Sequence, residues 1–204
     1  FSESLFARFT LILEGYSELG AFPVWAEHLE PPNDLDQLGI SLIVGGGSEL
    51  SYAARLFDKL DIDHLLVCDR GDDHDLSSVA LSSVRQTDHG TFEEEIFAVL
   101  AMGKVLRSIQ ATLTDEELDG LRKHLVSPDG LDLTQSCSWD DIVSLAEGGK
   151  LGKDGLGRLK EILTDQRVPS SQRRNLLKGA DIGALLAAEA ETVEDIPPTY
   201  WEAL

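Results

Sequence analysis

The sequence predicts an α/β fold, mainly a parallel sheet flanked by helices, with a helical appendage. Short apolar runs alternate with segments of helical periodicity over residues 1–107. Such alternation is typical of a parallel sheet that is covered on both faces. After residue 107 the remaining segments are all helical in pattern and are separated by Gly, Pro and Ser.

Three apolar runs predict the strands of the sheet, and each is followed at once by an acidic residue or by glycine. The runs are residues 10–13, 40–44 and 64–68. Runs of this length, bounded by turn residues, are typical of buried strands, and residues 79–86 favour a weak fourth strand. The working groups of a parallel sheet collect at the carboxyl ends of its strands, where Glu14 and Asp69 fall.

The segments between and after these strands predict helices. Ser17 is the expected N-cap of the first helix, and Thr114 with Glu117 forms a capping-box pattern. Residues 196–198, Ile-Pro-Pro, are expected to end regular structure. The predicted helices cover residues 17–29, 48–60, 92–107, 114–126, 139–147, 154–165 and 170–191.

The composition indicates a protein with a hydrophobic core and argues against a membrane-spanning or zinc-stabilised one. The chain has 204 residues, of which 42% are hydrophobic, and no apolar stretch long enough to cross a membrane. Its two cysteines are far apart and outside any Cys-x-x-Cys pattern, which favours a reducing, cytoplasmic setting without structural zinc. Because the chain begins at Phe1 and reaches a strand within ten residues, we expect it to be part of a longer protein.

The net charge is −20, and it is unevenly distributed. Residues 1–100 hold 5 Lys and Arg against 19 Asp and Glu, whereas residues 101–204 hold 12 against 18. This balance argues against nucleic-acid binding through bulk charge, but bound metal ions can neutralise carboxylates at a DNA site. A solubilising acidic surface explains part of the charge, but it does not explain acids at the ends of apolar strands.

Acidic side chains recur at strand exits and at helix starts. The candidate metal ligands are Glu14 and Glu18 after the first strand, Asp69, Asp72 and Asp73 after the third, and Glu93 and Glu94 at the start of a later helix. Oxygen-only clusters suit hard cations such as Mg²⁺ or Mn²⁺. Two such ions, about 3.5–4 Å apart, stabilise the attacking and the leaving oxygens of phosphodiester cleavage.

Each acidic group also has a purely structural interpretation. An acid in the first turn of a helix interacts favourably with the helix dipole, which applies to Glu18 and to residues 93–95. Asp-Gly-rich loops are often simple turns. A glutamate directly after a buried strand, such as Glu14, is harder to explain in this way.

An ordered set of motifs resembles the Toprim domain of OLD-family (overcoming lysogenization defect) nucleases. The matching pieces are Leu-Ile-Leu-Glu-Gly-Tyr-Ser-Glu at residues 11–18, residues 40–48, Tyr-Ala-Ala-Arg at 52–55, Val-Cys-Asp at 67–69, Thr-Phe-Glu at 91–93 and Leu-Lys-Gly at 177–179. The resemblance implies that Glu14, Glu18, Asp69 and Glu93 hold metal. It also implies that Lys178 contacts the scissile phosphate or stabilises developing charge. It also implies an ABC-type ATPase domain in the same full-length protein; the Gabija anti-phage nuclease belongs to this broad family.

One motif departs from the family pattern. The expected Asp-x-Asp reads Asp69-Arg70-Gly71, so that Asp72 or Asp73 would have to supply the second acid from a longer loop. This departure leaves open a degenerate Toprim module that serves only in dimerisation or regulation. The predicted division is residues 1–108 as the Toprim core, 109–170 as a helical insertion or appendage, and 171–204 as a C-terminal helix that returns to the active site.

Two basic patches follow the core. They comprise Lys150, Lys153, Arg158 and Lys160 in the first, and Arg167, Arg173, Arg174 and Lys178 in the second. Solvated helix faces and phosphate contacts are both open interpretations of them. Lys178 differs in lying between apolar segments, which favours an orientation toward carboxylates or phosphate.

The sequence thus predicts a divalent-metal-dependent DNA endonuclease, with Glu14, Asp69 and Lys178 as the catalytic residues, DNA as the partner, and a homodimer left open. The other Toprim activities are RNA cleavage and topoisomerase-like or primase-like reactions. A topoisomerase needs a nucleophilic tyrosine, and none of Tyr16, Tyr52 and Tyr200 lies in a recognisable nucleophile motif.

Overall fold

The computed structural model consists of two compact units, residues 1–99 with 179–204, and residues 100–178. The three-part division predicted from the sequence stays a prediction. The structure describes residues 4–29, 31–46, 49–70, 76–77, 79–80, 83–127, 131, 133–134, 136–164 and 176–204.

The first unit is built on a parallel sheet. Its strands are β1 (Phe9–Leu13), β2 (Ile40–Val44), β3 (His64–Cys68) and β4 (Val84–Gln86), in the order β2-β1-β3-β4. Leu13 pairs with Val44 on one side and with Val67 on the other, so the carboxyl ends of these strands lie at one edge. The predicted α/β fold and its weak fourth strand are confirmed.

Helices cover both faces of this sheet. The first unit holds α1 (Tyr16–Glu27), α2 (Leu35–Leu38), α3 (Leu50–Leu60), α4 (Phe92–Val99), α9 (Ala180–Ala188) and α10 (Pro198–Trp201). Phe57 of α3 packs with Ile12 and Leu66 of the sheet. Successive strand residues point to opposite faces, so the buried Leu11 and Leu13 face the other side.

Helices α1 and α9 pack at very short range. Gly20 and Gly183 permit this, because a Cβ at Gly20 would overlap the Ala180 carbonyl and one at Gly183 would overlap the Ser17 carbonyl. The Ser17 hydroxyl accepts a hydrogen bond from the Gly179 N–H at 3.1 Å. Ser17 therefore lies inside α1, and the predicted N-cap role is wrong: Gly15 occupies that position.

Three further predictions of local structure are wrong. The helix predicted over residues 170–191 is α9, which spans Ala180–Ala188 only, and the described residues 176–179 before it are not helical. The single helix predicted over residues 92–107 is interrupted, since α4 ends at Val99 and Ala101 is extended (φ −62°, ψ 136°) before α5 begins. Regular structure also resumes after Ile196, because Pro198 starts α10. Proline suits the first helical position, where its missing N–H would have no helical partner.

The second unit is helical in its described residues. It contains α5 (Met102–Thr112), α6 (Asp115–Leu125), α7 (Trp139–Glu147) and α8 (Gly152–Thr164). The capping box of Thr114 with Glu117 is confirmed at α6, and Arg107 of α5 forms an ion pair with Glu147 of α7. Across the described parts of the chain, no helix has the length and apolar character that a membrane crossing needs.

Candidate metal centre at the carboxyl edge of the sheet

Glu14 and Asp69 meet at the carboxyl edge of the sheet. Glu14 directly follows β1 and Asp69 directly follows β3, and these strands are neighbours in the sheet. The Asp69 N–H donates a hydrogen bond to Oε2 of Glu14 at 2.7 Å. A backbone donor to a carboxylate is a strong, charge-assisted hydrogen bond, and here it holds the Glu14 carboxylate beside Asp69.

Glu18 lies in the first turn of α1, next to the same edge. Only 4% of its surface is exposed, and a Cβ at Gly15 would lie 2.8 Å from its Oε2 atom. The Glu18 carboxylate therefore folds back over the start of the helix, next to Gly15. The helix dipole favours an acid here, although burying a charged carboxylate normally costs free energy.

The loop before α4 is fastened to the end of β3. The Arg70 N–H donates to the Thr87 hydroxyl at 2.8 Å and to the Gly90 carbonyl at 2.9 Å. The Thr87 N–H donates to the Cys68 carbonyl at 3.0 Å. These hydrogen bonds fix the start of α4, with its three glutamates, relative to Asp69.

The three glutamates at the start of α4 lie in different surroundings. Glu93 is buried. Glu94 is exposed and caps the helix, since its Oε2 accepts from the Thr91 N–H at 3.2 Å. Glu95 is fully buried, and its Oε1 accepts from the His89 N–H at 2.5 Å, with the His89 Nδ1 atom 3.3 Å away. The structure thus gives Glu94 a local role in the helix cap.

Tyr200 of α10 lies within the electrostatic reach of this cluster. Burial raises the pKa of its phenol well above the usual value, and the negative charges of nearby carboxylates raise it further. Those carboxylates belong to Glu18, Asp69, Glu95 and Glu93. The strand exit, the start of α1 and the start of α4 therefore each bring a carboxylate close enough to raise the pKa of this phenol.

Tyr200 was not identified as a site residue from the sequence, and Glu95 was only one of three candidates in its acidic run. Because regular structure was expected to end at residues 196–198, Tyr200 was not expected to lie in a helix that packs on the core. The available signals were Pro198 at a first helical position and the aromatic pair that follows it. Glu95 stood beside two better-matched acids, and only the fold shows that it is buried.

Several predicted site residues cannot be placed in this cluster. Asp72 and Asp73 lie outside the described residues, as do Arg167, Arg173 and Arg174. Lys178 is exposed and belongs to the second unit. Within the described ranges, no three His, Cys, Asp or Glu side chains are arranged to hold an ion, so the metal ligands stay predictions.

The residues present nevertheless fit a hard divalent cation. The donors are carboxylate oxygens, which Mg²⁺ and Mn²⁺ prefer. In addition, the buried Tyr200 hydroxyl has no hydrogen-bond partner among the described residues, which is an unusual state for a buried polar group. The Tyr200 hydroxyl is therefore a neutral hydrogen-bond donor near carboxylates that accept hydrogen bonds.

A parallel sheet with carboxylates gathered at one strand edge is the arrangement of a Toprim-type α/β domain. Residues 5–70 match the family model described as "Overcoming lysogenization defect protein-like, TOPRIM domain". The resemblance drawn from the motifs is thereby confirmed for residues 5–70, the segment that this family model matches.

One solved structure of an OLD protein shares the fold, and a second is similar over most of its length. The C-terminal region of the Burkholderia pseudomallei OLD protein is 18% identical, covers 97% of this chain and 96% of its own, and superposes with a TM-score of 0.57. The C-terminal region of the Xanthomonas campestris pv. campestris OLD protein is 23% identical over 92% and 94%, with a TM-score of 0.42. No curated protein matches the sequence.

Proposed function

We propose that the chain is the nuclease part of a larger ATPase–nuclease protein and that it hydrolyses phosphodiester bonds of DNA with Mg²⁺ or Mn²⁺. The observation that carries this proposal is the hydrogen bond from the Asp69 N–H to the Glu14 carboxylate, at 2.7 Å. It brings two acids from neighbouring strand exits together, as metal-assisted phosphoryl chemistry requires.

The residues of the cluster have distinct parts in this reaction. Glu14, Glu18, Asp69 and Glu93 hold the cation or cations. When bound, a divalent cation stabilises charge on the phosphate and activates the attacking water. The Asp69 N–H keeps the Glu14 carboxylate in one orientation, and pre-set orientation lowers the cost of reaching the transition state. Lys178 stabilises the negative charge that develops on the phosphate.

The topoisomerase-like alternative is less well supported. Its nucleophile would be a tyrosine. The buried tyrosine on which the cluster carboxylates act is Tyr200. Burial and the surrounding carboxylates raise the pKa of this phenol, which opposes the activation that a nucleophile needs. Tyr16 and Tyr52 are exposed, and no described acid is hydrogen-bonded to either hydroxyl. RNA cleavage remains the other hydrolytic candidate.

The decisive experiment is nicking of supercoiled plasmid by the purified protein with Mg²⁺ or Mn²⁺, with and without chelator. We expect Glu14→Gln to lower the rate at least roughly 100-fold, since even residues behind the ligands cost 10–100-fold. The amide keeps the size of the side chain but removes the charge that holds a cation. Glu27→Gln, an exposed acid at the far end of α1, is the matched control and should nick normally.

Three outcomes separate the candidates. Wild-type protein that binds Mn²⁺ in calorimetry but cuts only RNA would move the substrate to RNA. Wild-type protein that neither binds Mn²⁺ nor cuts would support the non-catalytic module, which the Asp69-Arg70-Gly71 departure leaves open. Equal nicking by Glu14→Gln and Glu27→Gln would show that Glu14 is not a ligand.

A further inference from the structure

Tyr200 lies where α1, α4 and α10 meet, and it is fully buried. We propose that it is a positioning residue of the acidic site: its ring fixes the helices that carry Glu18 and Glu93, and its hydroxyl donates a hydrogen bond to a cluster carboxylate once the cluster holds a cation. The proposal rests on the metal-binding role given above and assigns C-terminal helix α10 to the active site.

The ring is held from several sides by aromatic side chains. Trp25 stacks on it with ring centres 5.2 Å apart and planes at 21°. Phe22 meets it edge-on at 5.7 Å, and Phe92 packs against it at 5.8 Å. Aromatic pairs in these geometries stabilise beyond the area that they bury, so the ring has one well-defined position.

These aromatic neighbours belong to the helices that present the acids. Phe22 follows Glu18 by four residues on α1, and residues four apart share one face of a helix. Phe92 directly precedes Glu93 at the start of α4. Because Tyr200 contacts both rings, it sets the separation of the two helices and hence of their carboxylates.

The Tyr200 hydroxyl brings a hydrogen-bond donor to a cluster of carboxylates. Ionised carboxylates only accept hydrogen bonds, and packing them together requires donors or cations. A neutral phenol donates a hydrogen bond without adding negative charge. It has no partner among the described residues, so it is available to a carboxylate that turns toward a cation.

Tyr200→Phe tests the hydroxyl without removing the ring. We expect Mn²⁺ affinity, measured by calorimetry, to fall about tenfold, the lower end of the effect of groups that orient ligands. The unfolding temperature of the metal-free protein should stay the same or rise, because an unpartnered buried hydroxyl is removed. The rise of that temperature on adding Mn²⁺ should shrink. Tyr52→Phe, which alters an exposed tyrosine, should change none of these values.

A second measurement does not depend on the folding of that variant. The chain contains three tyrosines, so Tyr16→Phe with Tyr52→Phe leaves Tyr200 as the single site for 3-fluorotyrosine labelling. Its ¹⁹F resonance should shift when Mg²⁺ is added. A resonance that does not move while Mg²⁺ binds would overturn the proposal.

The outcomes distinguish this proposal from the proposed function. Unchanged Mn²⁺ affinity in Tyr200→Phe, with plasmid nicking intact, overturns the positioning role and leaves the nuclease standing. Equal losses of stability with and without metal also overturn it, since they indicate packing alone. Wild-type protein that binds no Mn²⁺ would refute both.

Discussion

At the scale of single residues, adjacent and chemically identical side chains differ in what they can do. Glu93 is buried and acts on Tyr200, whereas Glu94 points outward and accepts from the Thr91 N–H. The resemblance placed the acidic motif at Glu93, but the assignment among Glu93, Glu94 and Glu95 was open. The structure favours Glu93 over Glu94 because Glu93 is buried and acts on Tyr200, whereas the buried Glu95 accepts from the His89 N–H.

We therefore predict that substitutions at these two neighbouring residues differ in their effect on Mn²⁺ affinity. Glu93→Gln should weaken Mn²⁺ binding by roughly tenfold or more, because it removes a charge from the cluster. Glu94→Gln should leave Mn²⁺ affinity unchanged and lower the unfolding temperature slightly, because glutamine keeps most of the cap. Calorimetry and thermal unfolding on the pair measure this, and a larger affinity loss in Glu94→Gln would reverse the assignment.

Residues at strand exits were predictable, and those that reach the site through tertiary packing were not. Glu14 and Asp69 follow apolar runs, and parallel strands bring their carboxyl ends to one edge whatever else the chain does. The local role of Glu94 was also readable, since Thr91-x-x-Glu94 is a capping-box pattern. Tyr200 is near the acids only because α10 folds back onto α1, and no local pattern encodes that.

At the scale of elements, the position of Glu18 depends on the contact between α1 and α9. Glycines at residues 20 and 183 let the helix backbones touch, and the Gly179 N–H is bound to the Ser17 hydroxyl. Glycine within a helix costs about 1 kcal/mol relative to alanine. Glycine is nevertheless required at both positions, because a Cβ at either one would overlap backbone atoms, which cannot rotate away.

Gly183→Ala should consequently destabilise the protein by about 1–3 kcal/mol, the usual cost of overpacking. The overlap with the Ser17 carbonyl outweighs the helix propensity that alanine gains. Gly120→Ala in α6 is the matched control: nothing lies within 4 Å of its added Cβ, so it should be neutral or stabilising. Chemical denaturation of both variants checks the sign, and stabilisation by Gly183→Ala would contradict the close packing.

The ends of helices are harder to predict from sequence patterns than the helices themselves. The apolar periodicity of residues 92–107 continues without glycine or proline through Leu100 and Ala101, yet the helix breaks there. The break coincides with the boundary between the two units, which falls between Val99 and Leu100. Helix propensity is a weak guide when tertiary packing decides, so a single helix was the natural but wrong prediction.

At the scale of the whole molecule, charge favours dependence on divalent cations. The net charge is −20, and the first 100 residues hold 19 acids against 5 bases. Such an excess repels a polyanion such as DNA and also strains the folded state through self-repulsion. A cation bound to the native cluster relieves both effects and stabilises the fold by mass action, by about 2.7 kcal/mol at a hundredfold excess over Kd.

Lys178 is the cation that we propose for the reaction. It immediately precedes Gly179, whose N–H is bound to the Ser17 hydroxyl one residue before Glu18. Lys178 is exposed, as a group that contacts a phosphate must be. A cation that meets charge developing on the phosphate stabilises the transition state more than the ground state, which raises the rate.

We predict that Lys178→Ala lowers the nicking rate roughly 100- to 1,000-fold, the effect of removing one donor from a transition-state site, and leaves Mn²⁺ affinity almost unchanged. Lys153→Ala, an exposed lysine of the other basic patch, is the control and should nick within a few-fold of wild type, since a single peripheral phosphate contact contributes little. Plasmid nicking and Mn²⁺ calorimetry on the two variants provide the measurement. A folded Lys178→Ala protein that nicks at the wild-type rate would show that Lys178 is a solvated surface lysine. Equal losses of nicking rate in both variants would indicate general electrostatic attraction to DNA instead of a catalytic role.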